Sequence, residues 1–141
     1  MAKITMYLDF ISPYAHLAFK QIGRDFHNRA EITYRPILFA GLLNHYGQLG
    51  PAEIPFRREW TFLQALWQGK EAGIPIQLPK SHPFNPLALL RLAIAETASG
   101  NPTRETCDQI FDFVWNSGID VTDENELKAL RNSITLARDP I

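Results

Sequence analysis

Two strand-like segments near the start of the chain, joined by one helical segment, most strongly limit what this sequence can fold into. Residues 4–10 alternate with a period of two and are apolar on both faces, which predicts a well buried strand. Residues 32–38 predict a second strand. Between them, Ser12-Pro13 provides an N-cap and a first helical position, and helical spacing continues to His27. A helix of this length allows a right-handed crossover between parallel strands.

The sequence after Phe39 is helical or irregular. Helical patterns cover residues 56–72, 85–98 and 102–117, each followed by a glycine within a few residues, and Asp123 precedes a further one. Residues 73–83 are extended and rich in proline. Two parallel strands with about four helices do not complete a sheet, since about three strands are the usual minimum for independent stability. Either a strand is hidden in the helical part, or strands that belong to the sheet are missing.

Composition indicates an ordinary globular domain and narrows the possible partners. The 141 residues are 45% hydrophobic and 21% charged, with a net charge of −1 and no basic stripe, so we expect no nucleic acid partner. No apolar run is long enough for a membrane span, and we expect no secretory signal. Cys107 is the single cysteine, which excludes an internal disulfide and favours a cytoplasmic location. The four histidines lack metal-site spacing, so we expect no metal.

The residues between the first strand and the first helix could carry chemistry. Ser12 lies where the strand ends and the helix begins, so free backbone amides and the helix dipole favour an anion beside its hydroxyl. A thiolate is such an anion, and its pKa falls in such a site. Ser12 could equally be only a helix cap, since capping serines are common. The two interpretations are compatible.

Four stretches of the chain resemble one protein family. Residues 7–15, with the sequence YLDFISPYA, resemble the opening signature of bacterial 2-hydroxychromene-2-carboxylate isomerases and kappa-class glutathione transferases. Residues 35–41 (RPILFAG), 73–76 (GIPI) and 82–87 (HPFNPL) resemble later segments of the same group, in the same order and spacing. Redox members hold C-x-x-C where this chain reads Ser12-Pro13-Tyr14-Ala15, so dithiol–disulfide exchange is not available here.

The resemblance implies an α/β, thioredoxin-like fold of the DsbA type with a helical domain inserted after the second strand. We therefore expect residues 1–39 to form the β-α-β segment and residues 40–141 the inserted helical domain. The later strands of the thioredoxin core, with their cis-proline loop, have no counterpart here. We expect the chain to be the front part of a longer protein, to bind glutathione weakly by itself, and to pair its exposed strand edge in a homodimer or strand-sharing oligomer.

The resemblance also implies an activity. Members of the family are glutathione-dependent isomerases that interconvert 2-hydroxychromene-2-carboxylate and trans-o-hydroxybenzylidenepyruvate in naphthalene breakdown, so a small aromatic substrate is expected. The leading serine of the window contacts the glutathione sulfur in this branch, and that role falls on Ser12. A kappa-like glutathione transferase or peroxidase would need the same thiolate site. An inactive fragment or a thioredoxin-like binding module is the third possibility.

Further site residues carry over from the family less directly. Gln48 stands where the family often has Asn, and Arg57 stands where it often has Lys; both are assigned to glutathione, although Arg57 could be a solvated surface charge. Asn85 is assigned to glutathione or substrate but is also a natural N-cap. Tyr14 could line the substrate site or face the core. Trp60 and Trp67, seven residues apart, share a helix face and are predicted to lie in the core. Cys107 is predicted to be an inert buried thiol.

Overall fold

A parallel pair of strands opens the fold, as the sequence predicts. The computed structural model describes residues 1–140, in which β1 (Ala2–Leu8) and β2 (Ala30–Pro36) pair in register from Ala2 opposite Ala30 to Leu8 opposite Pro36. Helix α1 (Pro13–Phe26) makes the crossover between them. These are the two strands described within residues 1–140, and they form a two-stranded sheet.

The prediction that β1 is buried on both faces is wrong. Met6 and Leu8 point towards the core, whereas Thr5 and Tyr7 on the alternate face are exposed. A strand that is covered on one face only shows this alternation, because neighbouring side chains point to opposite sides. Within the described residues, nothing packs over the outer face.

Five helices follow the second strand. They are α2 (Phe39–His45), α3 (Arg57–Ala72), α4 (Leu87–Ala95), α5 (Arg104–Trp115) and α6 (Glu124–Asn132), with a short 3₁₀ turn at Pro51–Glu53 before α3. Caps fix two of their starts: the Thr103 hydroxyl accepts from the Thr106 amide, and the Asp123 carboxylate accepts from the Asn125 and Glu126 amides. Helix α3 ends at Gly73, which has a positive φ of 67°. In the described part of the chain, none of these helices is long and apolar enough to cross a membrane.

The main core joins the strands to the later helices. Leu8, Phe10 and Phe19 from the β-α-β unit are buried with residues of α4 and α5 and with Val121, Leu130 and Ile134; the α4 and α5 residues are Leu89, Leu90, Leu92, Ala93, Cys107, Ile110, Phe111, Val114 and Trp115. Trp115 adds a hydrogen bond across this core, since its Nε1 donates to the Phe10 carbonyl over 2.9 Å. The end of β1 is therefore held by α5, and the turn that follows β1 starts from a rigid position.

A smaller apolar cluster joins α1 to α3. Leu17, Ala65 and Ile74 are buried there. The prediction that Trp60 and Trp67 lie in the core is wrong: they share a face of α3, but that face is exposed. The opposite face carries Ala65 and Gly69, whose small size allows α3 to approach its neighbours closely, so the tryptophans turn outward.

Candidate functional site

The turn between β1 and α1 is built around a buried carboxylate. Oδ1 of Asp9 accepts from the Ile11 amide over 3.2 Å, and Oδ2 accepts from the Phe39 amide over 2.9 Å. Burial raises the pKa of Asp9 above its usual value, and the hydrogen bonds from these backbone amides partly offset this rise. Asp9 therefore connects the turn that holds Ser12 to the first residue of α2.

Ser12 caps α1. Its Oγ accepts from the Ala15 amide over 3.1 Å, and its carbonyl accepts from the His16 amide over 3.2 Å. Pro13 has no amide hydrogen, so among the described residues the Tyr14 amide is the first-turn donor that has no protein acceptor. The hydroxyl and this amide together form a small donor site at the positive end of the helix.

A cavity of about 490 Å³ opens beside Ser12, a size suited to a small organic ligand. Its walls come from the Ser12 turn, the α2 region, the start of α3 and the segment before α4. Most of the lining is apolar, and the polar side chains in it belong to Ser12, Tyr14, Asn44, Gln48, Glu53, Arg58, Thr61 and His82. The cavity therefore offers a mainly apolar surface with few fixed polar groups, which is typical of small-molecule sites.

Two charged side chains line this cavity. Arg58 donates from Nη2 to the His82 carbonyl over 2.6 Å and lies over the Phe62 ring at 5.5 Å. These contacts fix the guanidinium plane and leave its other N–H groups for an anion. Glu53 accepts from the Gly50 amide over 2.7 Å, which holds the loop before α3. The cavity thus has one positive and one negative group, both held by the protein.

His82 connects the segment before α4 to the Ser12 turn. Its Nε2 lies 2.8 Å from the Ile11 carbonyl, so Nε2 carries the proton and donates it. Its Nδ1 is buried and has no partner among the described residues. Burial lowers the pKa of His82, so the ring is held neutral. The peptide bond between His82 and Pro83 is cis.

The structure brings three of the predicted site residues to one cavity. Ser12, Tyr14 and Gln48 line it, and the Tyr14 hydroxyl also donates to the Gln64 side chain. Arg57 and Asn85 do not line it. Arg57 is exposed at the start of α3. Asn85 precedes the N-cap position of α4, which is Pro86, and its Oδ1 accepts from the Leu87 amide over 3.0 Å.

Arg58 and His82 were not predicted as site residues. Arg58 follows Arg57 directly, so only the rotation of α3 decides which arginine faces the cavity. His82 lies within the segment that resembles the family, but its contact with Ile11 joins residues 71 positions apart. For His82, the resemblance of residues 82–87 to the family was a signal that could have indicated a site residue. For Arg58 there was none, because nothing in the sequence distinguishes it from Arg57.

The remaining groups with potential chemistry lie away from the cavity. Cys107 is fully buried, which confirms the prediction of a buried thiol, and burial with nearby carboxylates raises its pKa to about 12. His16 is also fully buried, with Nε2 3.2 Å from the Pro75 carbonyl. Among residues 1–140, no group of three or more His, Cys, Asp or Glu side chains is arranged to hold a metal ion.

Two comparisons with known proteins find matches. The family model described as the DSBA-like thioredoxin domain matches residues 3–140. A solved structure of 2-hydroxychromene-2-carboxylate isomerase superposes with a TM-score of 0.73 at 18% sequence identity, covering 92% of this chain and 68% of that one. A comparison with curated proteins finds no match. At this identity the structural likeness establishes the fold.

Proposed function

We propose that this chain, which belongs to the DSBA-like thioredoxin domain family, supports a glutathione-dependent isomerisation of a small unsaturated aromatic acid. The single observation that carries the proposal is the donor site at Ser12, which opens onto the cavity of about 490 Å³. The interconversion of 2-hydroxychromene-2-carboxylate and trans-o-hydroxybenzylidenepyruvate is the specific reaction proposed. The structural neighbour with this name supports the choice.

The residues of the cavity fit glutathione chemically. Ser12 Oγ and the Tyr14 amide offer donors to a thiolate sulfur, and the absence of a cysteine at residues 12–15 leaves the nucleophile to be supplied by the cofactor. Arg58 offers a planar cation to a carboxylate of glutathione or substrate. Gln48 offers an amide to the peptide. Glutathione, when bound, would supply a thiolate whose reversible addition converts a carbon–carbon double bond into a single bond that can rotate.

The residues of this chain would contribute to this chemistry by stabilising the negative charge of the thiolate. Ser12 and the Tyr14 amide would stabilise the ionised sulfur, aided by the positive end of α1. Asp9 lies in the same turn as Ser12, three residues earlier, and would oppose an anion when ionised. Burial raises the pKa of Asp9, however, and its two hydrogen bonds disperse its charge over backbone amides. The apolar lining formed by Phe39, Phe62 and Phe84 would exclude water from an aromatic substrate.

The test is the pKa of the glutathione thiol bound to the wild-type chain and to Ser12→Ala. Ultraviolet absorbance of the thiolate is titrated at millimolar glutathione. We expect the bound thiol of the wild type to titrate at lower pH than free glutathione, and the substitution to raise its pKa and slow isomerisation.

The matched control is Thr103→Ala, which removes another helix cap at a cost of about 1 kcal/mol but lies outside the cavity. It is expected to leave the thiol pKa unchanged. A thiol pKa that is the same in wild type and Ser12→Ala would leave Ser12 as a cap alone. If the wild-type chain binds glutathione but does not isomerise 2-hydroxychromene-2-carboxylate, a glutathione transferase activity replaces the isomerase activity as the proposed function.

A further inference from the structure

The two charged side chains of the cavity are not paired with each other. Glu53 ends the 3₁₀ turn before α3, Arg58 lies in the first turn of α3, and both line the cavity. Within residues 1–140, the two form no ion pair with each other. A cation and an anion that share a cavity without neutralising each other can bind a ligand that carries both charges.

Both side chains keep hydrogen-bonding atoms free for such a ligand. Glu53 uses Oε2 to accept from the Gly50 amide over 2.7 Å, and in the described part of the chain its Oε1 has no hydrogen bond. Arg58 uses Nη2 to donate to the His82 carbonyl, so its other N–H groups stay available. These contacts restrict both side chains before a ligand arrives, which lowers the entropy cost of binding.

The two ends of glutathione differ in charge. The glycine end carries a carboxylate alone, whereas the γ-glutamyl end carries an ammonium and a carboxylate on one carbon atom. Arg58 would attract either carboxylate, so Arg58 by itself does not distinguish the two ends. Glu53 does distinguish them, because it would repel the glycine carboxylate and attract the ammonium.

We propose that Glu53 and Arg58 together bind the γ-glutamyl end of glutathione, with the ammonium at Glu53 and the α-carboxylate at Arg58. The inference rests on the proposed function, because it orients the cofactor whose thiolate is held at Ser12. His82 links the two parts of the site, since its carbonyl accepts from Arg58 and its Nε2 donates to the carbonyl of Ile11. One residue therefore fixes Arg58 relative to the turn that holds Ser12.

Isothermal titration calorimetry at neutral pH tests the role of Glu53. The ligands are glutathione and glutaryl-cysteinylglycine, in which a hydrogen atom replaces the ammonium. Wild type is expected to bind the glutaryl analogue about three- to tenfold more weakly, because a solvated but hydrogen-bonded charge pair is of intermediate strength. Glu53→Gln is expected to bind both ligands equally. Gln still accepts from the Gly50 amide, so the variant removes the charge and keeps the cap.

The matched control is Glu59→Gln, which removes the same charge from a nearby residue that does not line the cavity. It is expected to keep the wild-type preference for glutathione, and circular dichroism checks that each variant is folded. Two results would overturn the inference. One is a wild type that binds the two ligands equally; the other is a Glu53→Gln variant that weakens both by the same factor, which indicates a purely structural role.

Truncated peptides test which end of glutathione Arg58 binds. γ-Glutamylcysteine lacks the glycine, and cysteinylglycine lacks the γ-glutamyl end. Arg58→Ala is expected to weaken binding of γ-glutamylcysteine about 10- to 100-fold and to change binding of cysteinylglycine less than about threefold. The opposite pattern would assign Arg58 to the glycine carboxylate and contradict the proposed orientation.

A thiol-free analogue separates this inference from the proposed function. γ-Glutamyl-α-aminobutyryl-glycine has a methyl group in place of the thiol, so its binding does not depend on a thiolate at Ser12. Glu53→Gln is expected to weaken it by the same factor as glutathione. If Glu53→Gln has this effect but Ser12→Ala leaves the thiol pKa unchanged, the proposed function alone fails. The reverse result would refute the orientation alone, and a wild type that binds neither ligand would refute both.

Discussion

At the scale of the residue, the proposed site depends on side chains that have two roles each. Ser12 caps α1 and also lines the cavity. Arg58 binds the His82 carbonyl and also presents its remaining N–H groups to the cavity. A capping or supporting contact fixes the position of a side chain, so the second role needs little further ordering.

Arg58 rather than Arg57 is expected to bind a carboxylate of glutathione. Arg58→Ala is expected to weaken binding by about 10- to 100-fold, since hydrogen bonds to a charged group contribute about 1.5–3 kcal/mol. Arg57→Ala removes the same charge from the same helix and is expected to change binding less than about threefold, because Arg57 does not line the cavity. Isothermal titration calorimetry of both variants measures this. Equal losses of glutathione affinity in the two variants would show that the net charge of the chain, and not the position of Arg58, determines binding.

At the scale of the element, α3 separates two surfaces. Its inner side includes Arg58, Thr61 and Phe62, which line the cavity, and Ala65 and Gly69, which are buried. Its outer side carries the exposed side chains of Trp60, Leu63 and Trp67. Close packing of the inner side depends on Gly69, where an added Cβ would lie 2.8 Å from Ile76 Cγ2 and 3.0 Å from the Ile74 carbonyl oxygen. The segment after α3 can therefore fold back against the helix only because residue 69 has no side chain.

Gly69→Ala is expected to lower the free energy of unfolding by about 1–3 kcal/mol, because overpacking outweighs the helix propensity gained. Gly41→Ala in α2 is the matched control. Its Cβ would meet Leu38 at an ordinary 3.6 Å, so this variant is expected to gain up to about 1 kcal/mol. Urea denaturation followed by circular dichroism measures both. A Gly69→Ala variant as stable as Gly41→Ala would mean that Ile76 moves aside freely.

At the scale of the whole molecule, two buried histidines connect the β-α-β unit to the chain that follows α3. His16 lies 3.2 Å from the Pro75 carbonyl, and His82 lies 2.8 Å from the Ile11 carbonyl. Burial lowers the pKa of both rings below the usual value of 6.5. His16 on α1 contacts the segment after α3, and His82 in that segment contacts the turn before α1. Protonation of either ring therefore affects the packing of the β-α-β unit against the later part of the chain.

The protein is expected to lose stability as pH falls below about 6.5. Between that value and the lower pKa of the folded chain, the unfolded chain binds protons at His16 and His82 that the folded chain does not. The loss is at most about 1.4 kcal/mol per pH unit for each ring. Urea unfolding at several pH values is expected to show a flatter dependence for His16→Gln/His82→Gln than for wild type.

The control for this prediction is His27→Gln/His45→Gln, which replaces two exposed histidines. It is expected to keep the pH dependence of the wild type. Asp9 is present in every variant, so its own titration cancels in the comparison. An identical pH dependence in the buried and exposed double variants would exclude the two buried rings as its source.

The sequence by itself determined the elements that depend on neighbours along the chain. The β-α-β opening, the Ser12 and Asp123 caps and the end of α3 at Gly73 follow from periodicity and capping chemistry. It also indicated Ser12 as the residue for an anion, because a strand–helix junction exposes backbone amides wherever it occurs. These features involve residues a few positions apart, so their pattern is visible in the sequence.

Only the tertiary structure decided which side of each element meets another. Arg57 and Arg58 have the same chemistry, and the packing of α3 selects Arg58 for the cavity. Trp60 and Trp67 have an apolar pattern that predicts a core, yet the small residues opposite them pack inward and leave the tryptophans exposed. His82 reaches the Ser12 turn across 71 residues. Such choices depend on shape complementarity between distant segments, which periodicity along the chain does not contain.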